Sequence, residues 1–162
     1  MHYSKIEKCD VANGPGVRVS IFLSGCRRRC KGCFNPETWD FKYGQEFTYE
    51  TLAELGKLLE KPEIQGISIL GGDPFEPENR DGLAKIVEFV RCFYPEKDIW
   101  CWTGFLWEDI KDLEVVKYLD VVVDGPYIEE LRDLRLKFRG SSNQRIIDVW
   151  ESLIEDDVVE WD

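Results

Sequence analysis

Three cysteines, Cys26, Cys30 and Cys33, stand on one short stretch in the spacing C-x3-C-x2-C, while Cys9, Cys92 and Cys101 are isolated. Three thiolates on one loop can ligate a metal centre, and ligand count separates the choices. A structural zinc takes four protein ligands, so a zinc site would need a fourth from Cys9 or His2. A [4Fe–4S] cluster held by three cysteines keeps one iron open to a substrate or cofactor, as a catalytic metal site keeps an open position. The cluster is the expectation, and a zinc- or cluster-stabilised interaction module without catalysis is the alternative.

A second group is Gly71-Gly72-Asp73-Pro74. Without Cβ atoms, two glycines let backbone groups approach a ligand closely, although the same residues also make a tight strand-to-helix turn. Thr103 is a further candidate ligand contact. Trp100 and Trp102 read as core. The single histidine, His2, lies near the terminus, so no Ser-His-Asp or Cys-His arrangement can be assembled without it. The basic run Arg27-Arg28-Arg29-Lys31 lies inside the cysteine loop. It reads first as a solvated face, and otherwise as charge that raises a cluster's reduction potential or meets an acidic patch on a partner.

These residues must be positioned by 162 residues, enough for one domain and too few for a full eight-unit barrel of roughly 250. Val17–Leu23 has alternating, β-branched character and reads as a first strand, followed at once by the cysteine loop. Leu52, Leu55, Leu58 and Leu59 recur at helical spacing, with Thr51-x-x-Glu54 as a capping box. Gly66–Leu70 is a buried strand ending in the Gly71-Gly72 turn, and Leu83, Ile86, Val87 and Val90 mark a second amphipathic helix. Asp98–Trp102 and Val121–Val123 are further strands, with Leu106–Asp112 and Glu114–Leu119 as weaker helices between them. Leu136–Arg139 and Arg145–Val149 complete the pattern as two short strands. Strands alternating with helices imply βαβ units and a mainly parallel sheet, with ligands at the carboxyl ends of the strands. The predicted fold is α/β, an incomplete TIM-like (β/α) barrel or open sheet. Residues 1–150 form its single domain and residues 151–162 an acidic C-terminal tail whose order the sequence does not fix.

Hydrophobic residues make up 43% and charged residues 33%, a globular composition. The longest charge-free stretches are nine residues, Ile64–Gly72 and Ile99–Trp107, too short to span a bilayer. The start has no apolar signal-peptide core, so a cytoplasmic protein with no membrane contact is expected, and its unpaired cysteines fit a reducing compartment. The net charge of −11 argues against nucleic acid as a partner. Residues 151–162 carry six acids and no base, so without them the charge falls to −5.

The cysteine spacing after a strand of an α/β chain resembles the signature of the radical S-adenosylmethionine (SAM) superfamily. Other segments follow in order: Asn13-Gly14-Pro15-Gly16, Ser24-Gly25-Cys26, Thr38-Trp39, Gly71-Gly72-Asp73-Pro74, Trp100-Cys101-Trp102-Thr103-Gly104, Val123-Asp124-Gly125 and Arg139-Gly140-Ser141-Ser142-Asn143-Gln144. Together, from about Asn13 to Gln144, they resemble the activating-protein family of the anaerobic ribonucleoside-triphosphate reductase. Gly32 stands where many superfamily members have an aromatic residue, and the narrower family shares this glycine.

The resemblance implies a partial barrel of the radical SAM type and a [4Fe–4S] cluster on Cys26, Cys30 and Cys33. SAM would chelate the open iron. Reductive cleavage would yield methionine and a 5′-deoxyadenosyl radical, which takes a hydrogen atom from a glycine of a partner enzyme. Gly71, Gly72, Asp73 and Pro74 would receive the methionyl amine, Gly72 foremost, with Asp73 complementing its charge. Gly32, Cys33 and Phe34 would meet the adenine. The implied partners are the large reductase subunit and a low-potential electron donor such as flavodoxin. Another glycyl radical enzyme, or a metabolite, is the alternative substrate.

Overall fold

A computed structural model describes residues Met1–Asp162. Its frame is one mixed seven-stranded sheet in the order β3-β1-β2-β4-β5-β6-β7. The strands are β1 (His2–Asp10), β2 (Val17–Leu23), β3 (Gln45–Glu46), β4 (Ile64–Gly71), β5 (Asp98–Trp102), β6 (Val121–Asp124) and β7 (Arg145–Asp148). The central four, β2, β4, β5 and β6, are parallel, and β1, β3 and β7 extend the sheet antiparallel at its edges. Helices α1 (Tyr49–Leu59) and α2 (Pro77–Phe93) make the first two crossovers. A single turn, α3 (Trp107–Ile110), and a 3-10 turn over Glu114–Tyr118 make the third, and α4 (Val149–Glu155) follows β7.

Alternation along the strands sorts side chains onto two unlike faces. Val19, Ile21, Leu23, Ile67, Ile69, Ile99, Cys101 and Val122 join the leucines of α1 and the Leu83–Val90 stripe of α2 in the main core. Burying one such aliphatic side chain contributes about 1.5–3 kcal/mol, so this layer fixes the register. On the other face a small aromatic cluster of Trp100, Val121 and Val123 packs with Trp102, Phe138, Ile146 and Trp161. Beside it lies a polar network around Arg18, which is fully buried. The Arg18 guanidinium donates to Ser68 Oγ at 2.7 Å, to the Ile67 and Pro15 carbonyls and to Asp98 at 2.5 Å. Those bonds offset the cost of taking its charge out of water and pin the Asn13–Gly16 loop across this face.

Several sequence expectations are corrected. Val17–Leu23 is the second strand, because His2–Asp10 precedes it as an antiparallel neighbour. Helix α1 starts a turn earlier than the expected capping box: Thr48 is the N-cap and its N–H donates to Thr51 Oγ1 at 3.0 Å. Leu106–Asp112 shortens to the single turn of α3, and Glu114–Leu119 is a 3-10 turn. Leu136–Arg139 is not a strand; Phe138 adopts a left-handed φ of 64°, which no strand accommodates. The acidic segment, whose order the sequence does not fix, packs on the sheet. It carries α4, the Trp161 N–H donates to the Ile146 carbonyl at 2.8 Å, and the Trp161 ring meets Trp100 edge-on at 4.9 Å. No helix is long and apolar enough to cross a membrane.

Candidate functional site

At the carboxyl ends of β2, β4, β5 and β6 the chain leaves the sheet as four turns around one cavity of about 430 Å³, a size that accommodates a small-molecule ligand. Cys26, Cys30, Cys33, Phe34, Gly71, Gly72, Asp73 and Thr103 all line it. Gly32 and Pro74 do not. Gly32, at φ 79°, faces Glu129 on the outer side of the loop, and Pro74 is buried behind the turn.

The cysteine loop and the glycine turn are held together by backbone. Gly72 N–H donates to the Leu23 carbonyl at 2.7 Å and Asp73 N–H to the Gly25 carbonyl at 2.8 Å. A Cβ on Gly72 would lie 2.7 Å from the Gly25 oxygen, and one on Gly71, at φ 111°, 2.4 Å from the backbone of Leu23. The two glycines therefore let the turn lie directly against the segment that opens the cysteine loop. Beneath that segment, Asn79 of α2 donates to the Ser24 and Asp73 carbonyls at 3.0 and 2.9 Å, and Glu76 accepts from the Arg27 N–H at 2.6 Å. Both side chains are buried. The sequence reading missed them, although two polar residues at the start of an otherwise amphipathic helix are the signal that could have found them.

Asp73 is a brace. Its carboxylate accepts from the Thr103 hydroxyl at 2.7 Å, the Gly104 N–H at 2.9 Å and the Phe75 N–H at 3.0 Å. Burial pushes its pKa up, against those hydrogen bonds and the nearby Arg28 charge. Thr103 and Asp73 thus tie the exit of β5 to the exit of β4. Burial likewise pushes the Cys26 thiol up, opposed by the Arg28 N–H and reinforced by Asp73, Glu76 and Cys30; a coordinating metal reverses that balance by holding the thiolate.

The basic run is not simply solvated. The Arg27, Arg28 and Arg29 guanidiniums lie over the Phe41, Phe105 and Trp39 rings at 4.6, 5.2 and 5.3 Å, contacts that fasten the loop to three different segments. Trp102 also lines the cavity, whereas Trp100 is core. The remaining wall is the 126–144 segment. Tyr127 faces Phe34 with ring centroids 6.0 Å apart, and Arg132 lies over Phe34 at 5.8 Å. Gln144 closes this wall: its Oε1 accepts from the Gly140 and Ser141 N–H groups at 2.9 and 3.2 Å, and its Nε2 donates to the Gly125 carbonyl.

The donor set suits an iron–sulfur cluster. Three soft thiolates share the cavity wall. Cys9, one of the two residues considered as a fourth zinc ligand, sits beyond Glu7, which pairs with Ser20, at the end of β1 away from the cysteine loop. His2, the other, is held in the β1 ladder opposite Glu46 and does not line the cavity.

Comparison with known proteins agrees with this donor set. Residues 12–147 match the family described as a 4Fe-4S single cluster domain. The anaerobic ribonucleoside-triphosphate reductase-activating protein of Enterobacteria phage T4 is 49% identical over 146 residues, covering 90% of this chain and 93% of its own. Proteins of the same name from Vibrio cholerae and Escherichia coli K12 are each 40% identical, over 150 and 148 residues, covering 90% and 89% of this chain and 97% and 96% of theirs. Identity of this extent over nearly the whole length shows that the chain belongs to the family of anaerobic ribonucleoside-triphosphate reductase-activating proteins.

Proposed function

We propose that this chain is a radical SAM activase that installs a glycyl radical on the large subunit of the anaerobic ribonucleoside-triphosphate reductase. One observation carries the reading: the three cysteines and the Gly71-Gly72 turn line the same cavity at the carboxyl ends of the parallel strands. Cys26, Cys30 and Cys33 would hold the [4Fe–4S] cluster and leave one iron for SAM. When bound, cluster and SAM together supply a one-electron reductive C–S cleavage, giving methionine and a 5′-deoxyadenosyl radical that abstracts a glycine hydrogen.

The rest is done by the chain's own residues. The Gly71 and Gly72 main chain presents carbonyl oxygen to the methionyl ammonium. The Asp73 carboxylate, held behind them by Thr103 and Gly104, adds a negative field of the right sign. Phe34, beside the Gly32-Cys33 backbone, offers a ring face to the adenine. Phe34, Trp102, Tyr127 and Phe138 exclude water from a site where a reactive radical must not be quenched.

The sheet is an incomplete (β/α) barrel in this reading, and its openness serves the substrate. The cavity mouth is flanked by Phe34, 68% exposed, and Leu134, 82% exposed. An apolar lip around a ligand cavity suits a protein loop as the occupant, here the loop bearing the reductase glycine. The electron comes from a low-potential carrier such as flavodoxin. The test is electron paramagnetic resonance of the reductase large subunit after anaerobic incubation with reduced, SAM-loaded protein. A glycyl doublet is expected; SAM consumption without a doublet would assign the activity to another substrate.

A further inference from the structure

The cavity wall over residues 126–144 joins β6 to β7, and its one regular element is a 3-10 turn, Glu129–Leu131. Its tip gives Leu134, Leu136 and Phe138 to the cavity. The Leu136 N–H and the Arg135 side chain bond back to Asp133 within the tip. Between Leu134 and Phe138 a single hydrogen bond leaves it: the Phe138 carbonyl accepts from the Trp102 indole N–H at 2.7 Å. Phe138 is therefore the anchor of the tip on the sheet. It holds a left-handed φ of 64°, which a bulky residue keeps only where its surroundings over-determine it. Those surroundings are indoles. The Phe138 ring meets Trp100 edge-on at 5.4 Å and Trp161 at 6.3 Å, and Trp161 meets Trp100 at 4.9 Å. Trp100 and Trp102 belong to β5, whereas Trp161 arrives from a segment laid along β7. That segment is fixed by the Trp161 N–H to the Ile146 carbonyl at 2.8 Å and the Asp148 N–H to the Val159 carbonyl at 2.9 Å. The Val159 N–H also donates to the buried Ser152 hydroxyl at 2.8 Å.

We infer that Trp161 is a positioning residue for the SAM cavity: it holds Phe138 against Trp100 and so keeps the 132–139 wall in place. The inference rests on the SAM reading above and adds a residue that does not itself line the cavity. Without the Trp161 ring, Phe138 loses one side of its aromatic surroundings, whose edge-to-face pairs contribute beyond simple area burial. The left-handed turn then samples other conformations. Only molecules with the wall in place bind the ligand well, so a wall in place a tenth of the time weakens apparent affinity about tenfold. A bound complex has already selected the ordered wall, and its chemical step is unaffected. The effect therefore falls on SAM affinity and not on the saturated rate.

The test compares Trp161→Leu, which stays apolar but loses the ring, with Trp161→Phe, which keeps a ring. In Trp161→Leu, amide hydrogen exchange should quicken over residues 132–139 and stay at the wild-type rate in β4 and α2, which report that the fold is intact. Calorimetric titration of the reconstituted holoprotein with SAM should give an affinity about tenfold weaker. The single-turnover cleavage rate at saturating SAM, with dithionite as reductant, should stay at the wild-type value. Trp161→Phe should recover most of the affinity. In a Phe138→Ala background Trp161→Leu should add no further loss, because a residue that acts through another is not additive with it. Wild-type SAM affinity in Trp161→Leu, full additivity with Phe138→Ala, or faster exchange spread evenly over the sheet would overturn the positioning role. A wild-type protein that does not bind SAM would overturn the SAM reading instead, and exchange over residues 132–139 would still decide whether Trp161 holds the wall.

Discussion

The Thr103 hydroxyl donates to the Asp73 carboxylate at 2.7 Å, and both side chains are buried. This bond joins the exits of two neighbouring strands, each of which ends at the cavity. Asp73 therefore acts through its hold on the turn, while the adjoining Gly71 and Gly72 line the cavity.

Removing that donor should be costly, and more so as pH rises. Thr103→Val leaves a buried carboxylate with one partner fewer, which should cost about 1–3 kcal/mol, while Thr103→Ser should restore most of it. Burial already raises the Asp73 pKa above the usual aspartate range. A carboxyl whose folded pKa exceeds its unfolded value loses stability as pH climbs through the folded pKa. The penalty of Thr103→Val should thus be smallest in acid, where Asp73 keeps its proton. Urea midpoints measured across pH for both variants check this.

Asp10 should behave with the opposite sign. Burial works to raise its pKa, yet hydrogen bonds from Ser20, Asn13 and the Ala12 N–H hold it below the ordinary value. Its contribution is present above the unfolded aspartate pKa of about 3.9 and is lost as pH falls through the lower folded value. Asp10→Asn should flatten the acid limb of the stability curve below about pH 4. An unchanged limb in acid denaturation would reject this role.

Gly72→Ala should separate activity from folding. The new Cβ would press on the Gly25 backbone at 2.7–2.9 Å, with no flexible side chain to yield, shifting the turn against the cysteine loop. Misplacement of this kind costs about 10- to 100-fold in rate. Single-turnover SAM cleavage should fall by that factor while far-ultraviolet circular dichroism stays wild type.

Much of this was legible in the sequence because packing and chemistry there left patterns. Asp98–Trp102 shows a strand by its short apolar run, and the Leu83–Val90 stripe shows a helix. The cysteine spacing and the paired glycines point to the residues that meet in the cavity. Other features escaped for physical reasons. In β1 most residues are half-buried or exposed, so His2–Asp10 lacks an apolar face to read. Leu136 and Phe138 alternate with Lys137 and Arg139 as a strand would, but the backbone turns left-handed at Phe138 and lines the cavity. Trp161 sits among acids, and only the tertiary contact with Trp100 shows that the C-terminal segment packs on the sheet. Glu76, Asn79 and Gln144 act through main-chain groups distant in sequence, which spacing does not encode.

The most direct measurement is reductive SAM cleavage by anaerobically reconstituted wild-type protein and its Cys30→Ala variant, with iron content determined on the same samples. About four irons per wild-type chain are expected, with equal yields of methionine and 5′-deoxyadenosine, and both products abolished in Cys30→Ala. A wild-type protein that binds its iron yet leaves SAM intact, or a Cys30→Ala variant that cleaves SAM at the wild-type rate, would contradict the radical SAM reading.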